Sequence, residues 1–297
     1  MKLLTDFQRS AIEKSLGVYG IHVYQNGKTI AEHRFRSNDR ENLYSASKTF
    51  ASIGVGIAEN ECLIKLTDYV LDFFPEFKDI AYPGSEKITI KNLLQMSSGH
   101  MYENYSPYSS MDRAKTFFAE EMRKPAGTAF YYENLCTYML GRVVEKVSGK
   151  TMLDYLKPRL FDKLEISNPQ WFTCNHGHTS CAGGLYLTTE EFSRIGIMLL
   201  QNGIYKDKQI VSADYIERLH SDLVDTSSKN DPETKGGYGY QVWKCTPPNT
   251  YRADGMYGQY CVVLSDYNAV VTVTAHNEDE PKDILRAIWS DILPKLK

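Results

Sequence analysis

No stretch of this chain stays apolar for the ~20 residues that a membrane span requires. The first sixteen residues mix acids and bases and lack the apolar centre of a secretion signal. Lys and Arg form no basic block and the net charge is −3, so neither a membrane nor a nucleic-acid partner is expected. With 20 Gly and 11 Pro in 297 residues, collagen-like and Pro/Gly-rich disordered chains are excluded. Internal repeats and low-complexity tracts are missing. So are the His-Glu-x-x-His metal motif and the Gly-x-Ser-x-Gly nucleophile elbow. Six Cys lie scattered along the chain without a secretion signal, which predicts reduced thiols and a cytoplasmic protein. What remains is a chain long enough for one large or two medium domains with a substantial core.

The spacing of Leu4, Phe7, Ile12 and Leu16 predicts an opening amphipathic helix. Val18 to Tyr24 and Thr29 to Phe35 read as strands joined by Asn26-Gly27, a two-residue hairpin signal. From Ala46 to about Leu223 the periodicity is mostly helical. Thr188, with Glu191 three residues on, forms a candidate capping box ahead of a helix over Phe192 to Leu200. Strand-like composition returns at Tyr238 to Trp243, Tyr260 to Leu264 and Ala269 to Ala275, with a turn at Asp266 to Asn268. Pro281 to Leu293 reads as a terminal helix. The expected class is α+β: an antiparallel sheet built from both chain ends with flanking helices, plus an inserted, mainly helical region. Its division would be 1–44 and 235–297 for the sheet domain and 45–234 for the insertion, with the active site at their interface.

Ser148-Gly149-Lys150-Thr151 imitates the end of a phosphate-binding loop, but the required first Gly falls at Val144 in a helical segment. Cys174, His176, His178 and Cys181 match no common zinc spacing and read as incidental loop residues. No metal and no cofactor is expected. Ser45 and Lys48 are more telling. Three residues apart, they share the first turn of a helix in which Phe50, Ala51, Ile53, Val55, Ile57 and Ala58 leave few polar positions. Desolvation lowers an ammonium pKa, and the neutral amine can take a serine proton. The helix N-terminus adds N–H groups for an oxyanion. The alternative is an ordinary Ser cap with a solvent-facing Lys. In Tyr132-Glu133-Asn134 a phenol and an amide two apart share one side of an extended segment, fit to relay a proton and hold a substrate amide. The alternative there is a packed Tyr at a helix entry.

Taken in order, several short motifs resemble the penicillin-binding serine hydrolase superfamily. The likeness is to the branch holding class C β-lactamases, D-amino-acid peptidases and related esterases and amidases. The motifs are Ser45-x-x-Lys48, Leu93-Leu94-x-Met96-x-Ser98-Gly99, Gly127-Thr128-x-Phe130-x-Tyr132-x-Asn134, Gly183-Gly184-Leu185, Gly237-Tyr238-Gly239-Tyr240-x-x-Trp243 and Gly255-x-x-Gly258-Gln259. The resemblance runs from about Tyr44 to the last strand and implies the same sheet-plus-insertion fold. It implies Ser45 as acylated nucleophile, Lys48 as its base or electrostatic partner, Tyr132 as proton relay and Asn134 as substrate-orienting amide. Two departures stand out. The middle residue of the second motif, usually Ser or Ala, is Glu133, whose side chain should point away from Tyr132. The third motif, commonly Lys or His before a small residue and Gly, reads Ala253-Asp254-Gly255. There the Met256 N–H, beside Gly255, would complete an oxyanion site with that of Ser45, and Arg252 is the candidate to replace the missing charge. The expected function is a serine hydrolase acting on a small ester, amide or peptide. The competing readings are a silent acyl-binding or sensor module of the same fold, and an unrelated α+β protein. Pocket walls are expected at His100 to Ser110, His176 to Ala182 and Tyr251 to Tyr257.

Overall fold

The fold is given by a computed structural model that describes residues 3–102 and 111–297. Helix α1 (Thr5–Glu13) forms where apolar spacing places it and buries Phe7 and Ala11, with Leu4 and Leu16 buried at its flanks. Ile12 does not join that stripe and is 69% exposed. Five residues beyond Phe7, it is turned about 140° away on a 3.6-residue helix, whereas Ala11 at i+4 shares the buried face.

Strands β1 (Val18–Gln25) and β2 (Lys28–Arg34) make the expected hairpin. Asn26 and Gly27 both sit at positive φ, 50° and 85°, as a tight turn matched to strand twist requires. The other strands come from the C-terminal end: β3 (Trp243–Lys244), β4 (Thr250–Gly255), β5 (Gln259–Leu264) and β6 (Ala269–Ala275). They assemble as one antiparallel sheet in the order β2-β1-β6-β5-β4-β3. The first and last strands in sequence, β1 and β6, pair from Val18 with Ala275 to Gln25 with Ala269, so the two chain ends close the sheet together.

Two differences from the sequence reading lie in this region. Tyr238 to Trp243 is not a strand; Tyr238 makes isolated bridges to Val224 and Trp243, and the sheet is joined by Trp243 and Lys244. Gln241 takes φ +63° and turns inward. Its amide donates to the carbonyls of Leu93 and Leu94 and accepts from the Thr137 hydroxyl, while its own carbonyl accepts from Thr49. A residue serving three segments of the helical region cannot also serve a ladder. The strand that does form, β4, carries Asp254 and Gly255, residues poor in strand propensity, and is held by pairing with β5.

Helices flank the sheet on both faces. On one, α1 and the C-terminal helix pack a core of Phe7, Ile21, Val262, Val271, Ile284 and Ile288. On the other lie α2 (Ser47–Asn60), α3 (Asn134–Ser148) and α4 (Thr189–Leu200), within the larger core. Each fully buried aliphatic side chain there contributes ~1.5–3 kcal/mol. The Thr188 capping box forms as expected, with Glu191 N–H donating to Thr188 Oγ1 at 3.2 Å and the Glu191 carboxylate accepting from Thr188 N–H at 3.0 Å. Gly149 ends α3 at φ 69° and Thr151 caps the next helix, which gives the Ser148–Thr151 segment a structural use. The C-terminal helix is regular only over α5 (Lys282–Ala287) and widens over Ile288–Ile292 before Pro294, which offers no N–H.

Candidate active site

Helix α2 runs through the middle of the molecule, and every residue from Ser47 to Ala58 is buried. Ser45 sits in the single 3₁₀ turn that feeds it, Tyr44–Ala46. The turn opens on Tyr44 at φ +46°, a conformation that costs a non-glycine residue ~1 kcal/mol or more. The Tyr44 N–H donates to Asn42 Oδ1 at 2.9 Å, which helps hold the bend. Lys48, one turn on, is 1% exposed. Its Nζ lies 2.9 Å from Ser45 Oγ, 2.7 Å from Asn134 Oδ1 and 2.7 Å from the Ala182 carbonyl.

Those three neighbours suit a neutral amine. Two are pure acceptors and take its two N–H bonds; the third is a hydroxyl that can donate to the remaining lone pair. Among the described residues no carboxylate forms an ion pair with Lys48. Burial pulls its pKa down to about 7, against a weaker opposing pull from Asp254.

Tyr132 hydrogen-bonds Ser45, and its ring centre lies 5.0 Å from Lys48 Nζ. Trp243 stacks on the ring at 5.9 Å and Tyr238 meets it edge-on at 6.0 Å. The aromatic run misread as a strand thus builds a box around the phenol. Desolvation raises the Tyr132 pKa, so the phenol form is favoured. Asn134 opens α3, and the phenol and amide of the Tyr132–Asn134 segment both face Lys48. Glu133 turns the other way, as expected, into a buried site against Met96, Ser98 and Cys136.

The end of β4 closes the site. A Cβ on Gly255 would stand 2.2 Å from the Leu43 carbonyl and 3.2 Å from Ala46 N, so only glycine lets this strand touch the turn that carries Ser45. Met256 follows directly, its side chain exposed. Arg252 does not replace the missing third-motif charge. Its guanidinium is fully buried and held by Asp254 at 2.7 and 2.8 Å, with Glu233 at 3.9 Å, because residues two apart on a strand share a face.

Sequence reasoning placed Ala182 at the end of an expected pocket wall but missed that its carbonyl is a direct partner of Lys48; the following Gly183-Gly184 was the available signal. The Cys174 to Cys181 loop packs on α3, with Cys174 Sγ 3.7 Å from Tyr138 Oη and His178 Nδ1 2.9 Å from Glu145. Among the described residues no group of three or more His, Cys, Asp and Glu side chains converges as for a metal, and all six cysteines are free. Much of the wall expected at His100 to Ser110 lies outside the described residues.

A serine and a buried lysine at the head of a central helix, a Tyr-x-Asn segment and a sheet-edge strand thus converge on one site. The sequence pattern of the Beta-lactamase family matches residues 8–292, and the chain belongs to that family. Among curated proteins it is 26% identical over 218 residues to 6-aminohexanoate-dimer hydrolase of Paenarthrobacter ureafaciens, a match covering 66% of this chain and 55% of that one. It is 31% identical over 118 residues to lovastatin esterase of Penicillium rubens, covering 35% of this chain and 29% of that one. The matches therefore span about half of the first relative's length and less than a third of the second's. Its fold is similar to that of a D-stereospecific amidohydrolase from Streptomyces sp., with TM-score 0.76, 18% identity, and 99% of each chain covered.

Proposed function

We propose that the protein is a serine hydrolase that cleaves a small ester, amide or peptide bond through an acyl-enzyme on Ser45. The observation that carries this reading is the contact at 2.9 Å between Ser45 Oγ and a buried Lys48 Nζ that has no carboxylate partner among the described residues. The names of the two curated relatives, one an amide hydrolase and one an esterase, support the substrate class.

In this mechanism Lys48 takes the Ser45 proton as Oγ attacks the carbonyl carbon. The backbone N–H groups of Ser45 and Met256 stabilise the oxyanion. Asn134, already tied to Lys48, orients the substrate amide. As the carbon–leaving-group bond breaks, the Tyr132 phenol gives its proton to the departing oxygen or nitrogen and recovers one from the Lys48 ammonium. Water then attacks the ester, with Lys48 again the proton acceptor, and Ser45 Oγ leaves with a proton. No cofactor or metal enters the scheme. Arg252 is neutralised behind the strand, so an anionic substrate group finds no basic partner on β4. Neutral or cationic small substrates are therefore favoured, and β-lactams should turn over poorly. The six free thiols fit a cytoplasmic setting, and among the described residues no helix is long and apolar enough to cross a membrane.

The test is a panel of chromogenic esters, D-amino-acid amides and a β-lactam, read by turnover and by mass shift on Ser45. Ser45→Ala should lose ~10³-fold or more in rate. Wild-type hydrolysis by that variant, or acylation elsewhere, would remove Ser45 from the role. A burst without turnover on every substrate would favour a silent acyl-binding module.

A further inference from the structure

Glu133 occupies the one link between Tyr132 and Asn134, the two residues that face Lys48. It is 2% exposed, and among the described residues its Oε1 has no hydrogen-bond partner. Oε2 lies 3.9 Å from Cys136 Sγ on α3, and the Glu133 N–H points to Met96 Sδ at 3.3 Å. Ser98 also hydrogen-bonds its side chain. Although Glu133 stands at the N-cap position of α3, its carboxyl caps no backbone N–H. The titratable groups that bear on it are Cys136 from α3, a thiol that burial holds protonated, and Glu120 from the chain beyond the helix Arg113–Ala119. Among the described residues none of the charges acting on it is a cation. A carboxylate in such a place would be unpaired in a low-dielectric site, which costs several kcal/mol unless the group stays neutral or moves to water.

Resting on the hydrolase reading, we propose that Glu133 is a positioning residue. As the neutral acid it seats the Tyr132–Asn134 segment against Met96 and Cys136, and when it ionises the segment is pulled from Lys48 and the site closes on the alkaline side. Burial raises its carboxyl to about 8, with Glu120 pushing the same way. Lys48 is the base only once it has lost its proton, near pH 7. The working window thus lies between the deprotonation of Lys48 and that of Glu133. The effect on stability has a definite sign. A carboxyl raised on folding stabilises the native state fully below its unfolded value, and that contribution is lost as pH rises toward the folded value.

The experiment compares wild type with Glu133→Gln and Glu133→Ala on a neutral aryl ester from pH 5.5 to 10, each kcat/KM normalised to that protein's value at pH 7. Urea unfolding at pH 5.5 and 8 is measured in parallel. Wild type should rise through an acid limb near 7 and fall through an alkaline limb near 8. Both variants should keep the acid limb and lose the alkaline one, so that at pH 9.5 they exceed wild type by ~30-fold on the normalised scale. Between pH 5.5 and 8 the unfolding constant of wild type should rise about 100-fold more than that of Glu133→Gln. An alkaline limb that survives in both variants, or one missing from wild type, overturns the proposal while leaving hydrolysis intact. If wild type hydrolyses nothing, the hydrolase reading fails and the unfolding comparison decides: an equal pH response in wild type and Glu133→Gln overturns the neutral seat, and the expected excess supports it.

Discussion

Lys48 and Arg252 are both basic side chains sealed from water, one at the head of α2 and the other behind β4. Their surroundings differ in one respect. Arg252 has carboxylates: Asp254 at 2.7 and 2.8 Å and Glu233 at 3.9 Å, with Glu233 held in turn by Trp289 Nε1 and the Thr246 hydroxyl. Among the described residues Lys48 is bonded to a hydroxyl, an amide oxygen and a carbonyl, and to no carboxylate. Burial works against the charge in both. Desolvation is opposed at Arg252 chiefly by Asp254, and its pKa ends above the ordinary arginine value. At Lys48 only a weaker, more distant pull from Asp254 opposes desolvation, and its pKa falls to about 7. The same cost therefore yields a charged strut in one place and a proton acceptor in the other, and partner choice decides which.

The largest expected effect comes from making the first site chemically like the second. Lys48→Arg keeps a cation at the head of α2 but removes the lone pair, since guanidinium does not deprotonate in a protein. The rate on any ester that wild type cleaves should fall ~10³-fold or more. Retention of most activity would show that Lys48 acts as a fixed charge and not as a base.

Replacing each cation by Met should separate the two sites by the pH response of stability. Arg252→Met leaves Glu233 buried and Asp254 half-buried without their counter-ion and should cost about 3 kcal/mol at pH 7. Lys48→Met removes a group whose pKa is lowered on folding. Such a group penalises the native state increasingly as pH falls from its unfolded value of 10.5 toward 7, and the penalty is constant below that. Relative to wild type, the Met variant should gain up to ~1.4 kcal/mol per unit as pH drops through that range. Urea unfolding at pH 9.5 and 6.5 measures the difference. A Lys48→Met variant with no relative gain at the lower pH would mean that Lys48 stays charged when folded.

How legible this contrast is in the sequence depends on the range of the interactions involved. Ser45-x-x-Lys48, the Asn26-Gly27 turn and the Thr188 capping box are set by neighbours within four residues, and all three form where the chain says they should. The pairing of the first and last strands follows from their strand-like composition and from the helical stretch between them. The rest depends on contacts distant in sequence. Tyr238 to Trp243 has strand composition, but Gln241 is claimed by Leu93, Leu94 and Thr137. The direction of Glu133 follows from its neighbours in the chain; that it ends in a sealed site beside Cys136 does not. Arg252 reads as a spare charge beside the site until Asp254 and Glu233 are seen to hold it. Ala182 contributes a backbone oxygen, to which its side chain gives no clue.

Asp254 stands between the two sites, and neutralising it tests whether they are linked. It bonds Arg252, and its field raises the pKa of Lys48. Because the guanidinium already offsets much of its charge, Asp254→Asn should act gently. Loss of a negative charge lets the Lys48 pKa fall further, so the acid limb of kcat/KM should move to lower pH by less than about one unit. The same change should ease entry of an anionic substrate. Wild type should turn over a chromogenic cephalosporin with kcat/KM below ~10⁴ M⁻¹s⁻¹, well under its value for a neutral aryl ester. Asp254→Asn should narrow that gap by a few-fold, since a screened charge near the protein surface is worth ~1 kcal/mol. The control is Glu233→Gln, which relieves charge on the far side of Arg252 and should leave the substrate ratio nearly unchanged. If Asp254→Asn leaves both the acid limb and the gap where they are in wild type, then its carboxylate is not felt at Lys48 and the two sites are electrostatically separate. If wild type already turns over the cephalosporin efficiently, some group other than Arg252 supplies the charge that β4 lacks.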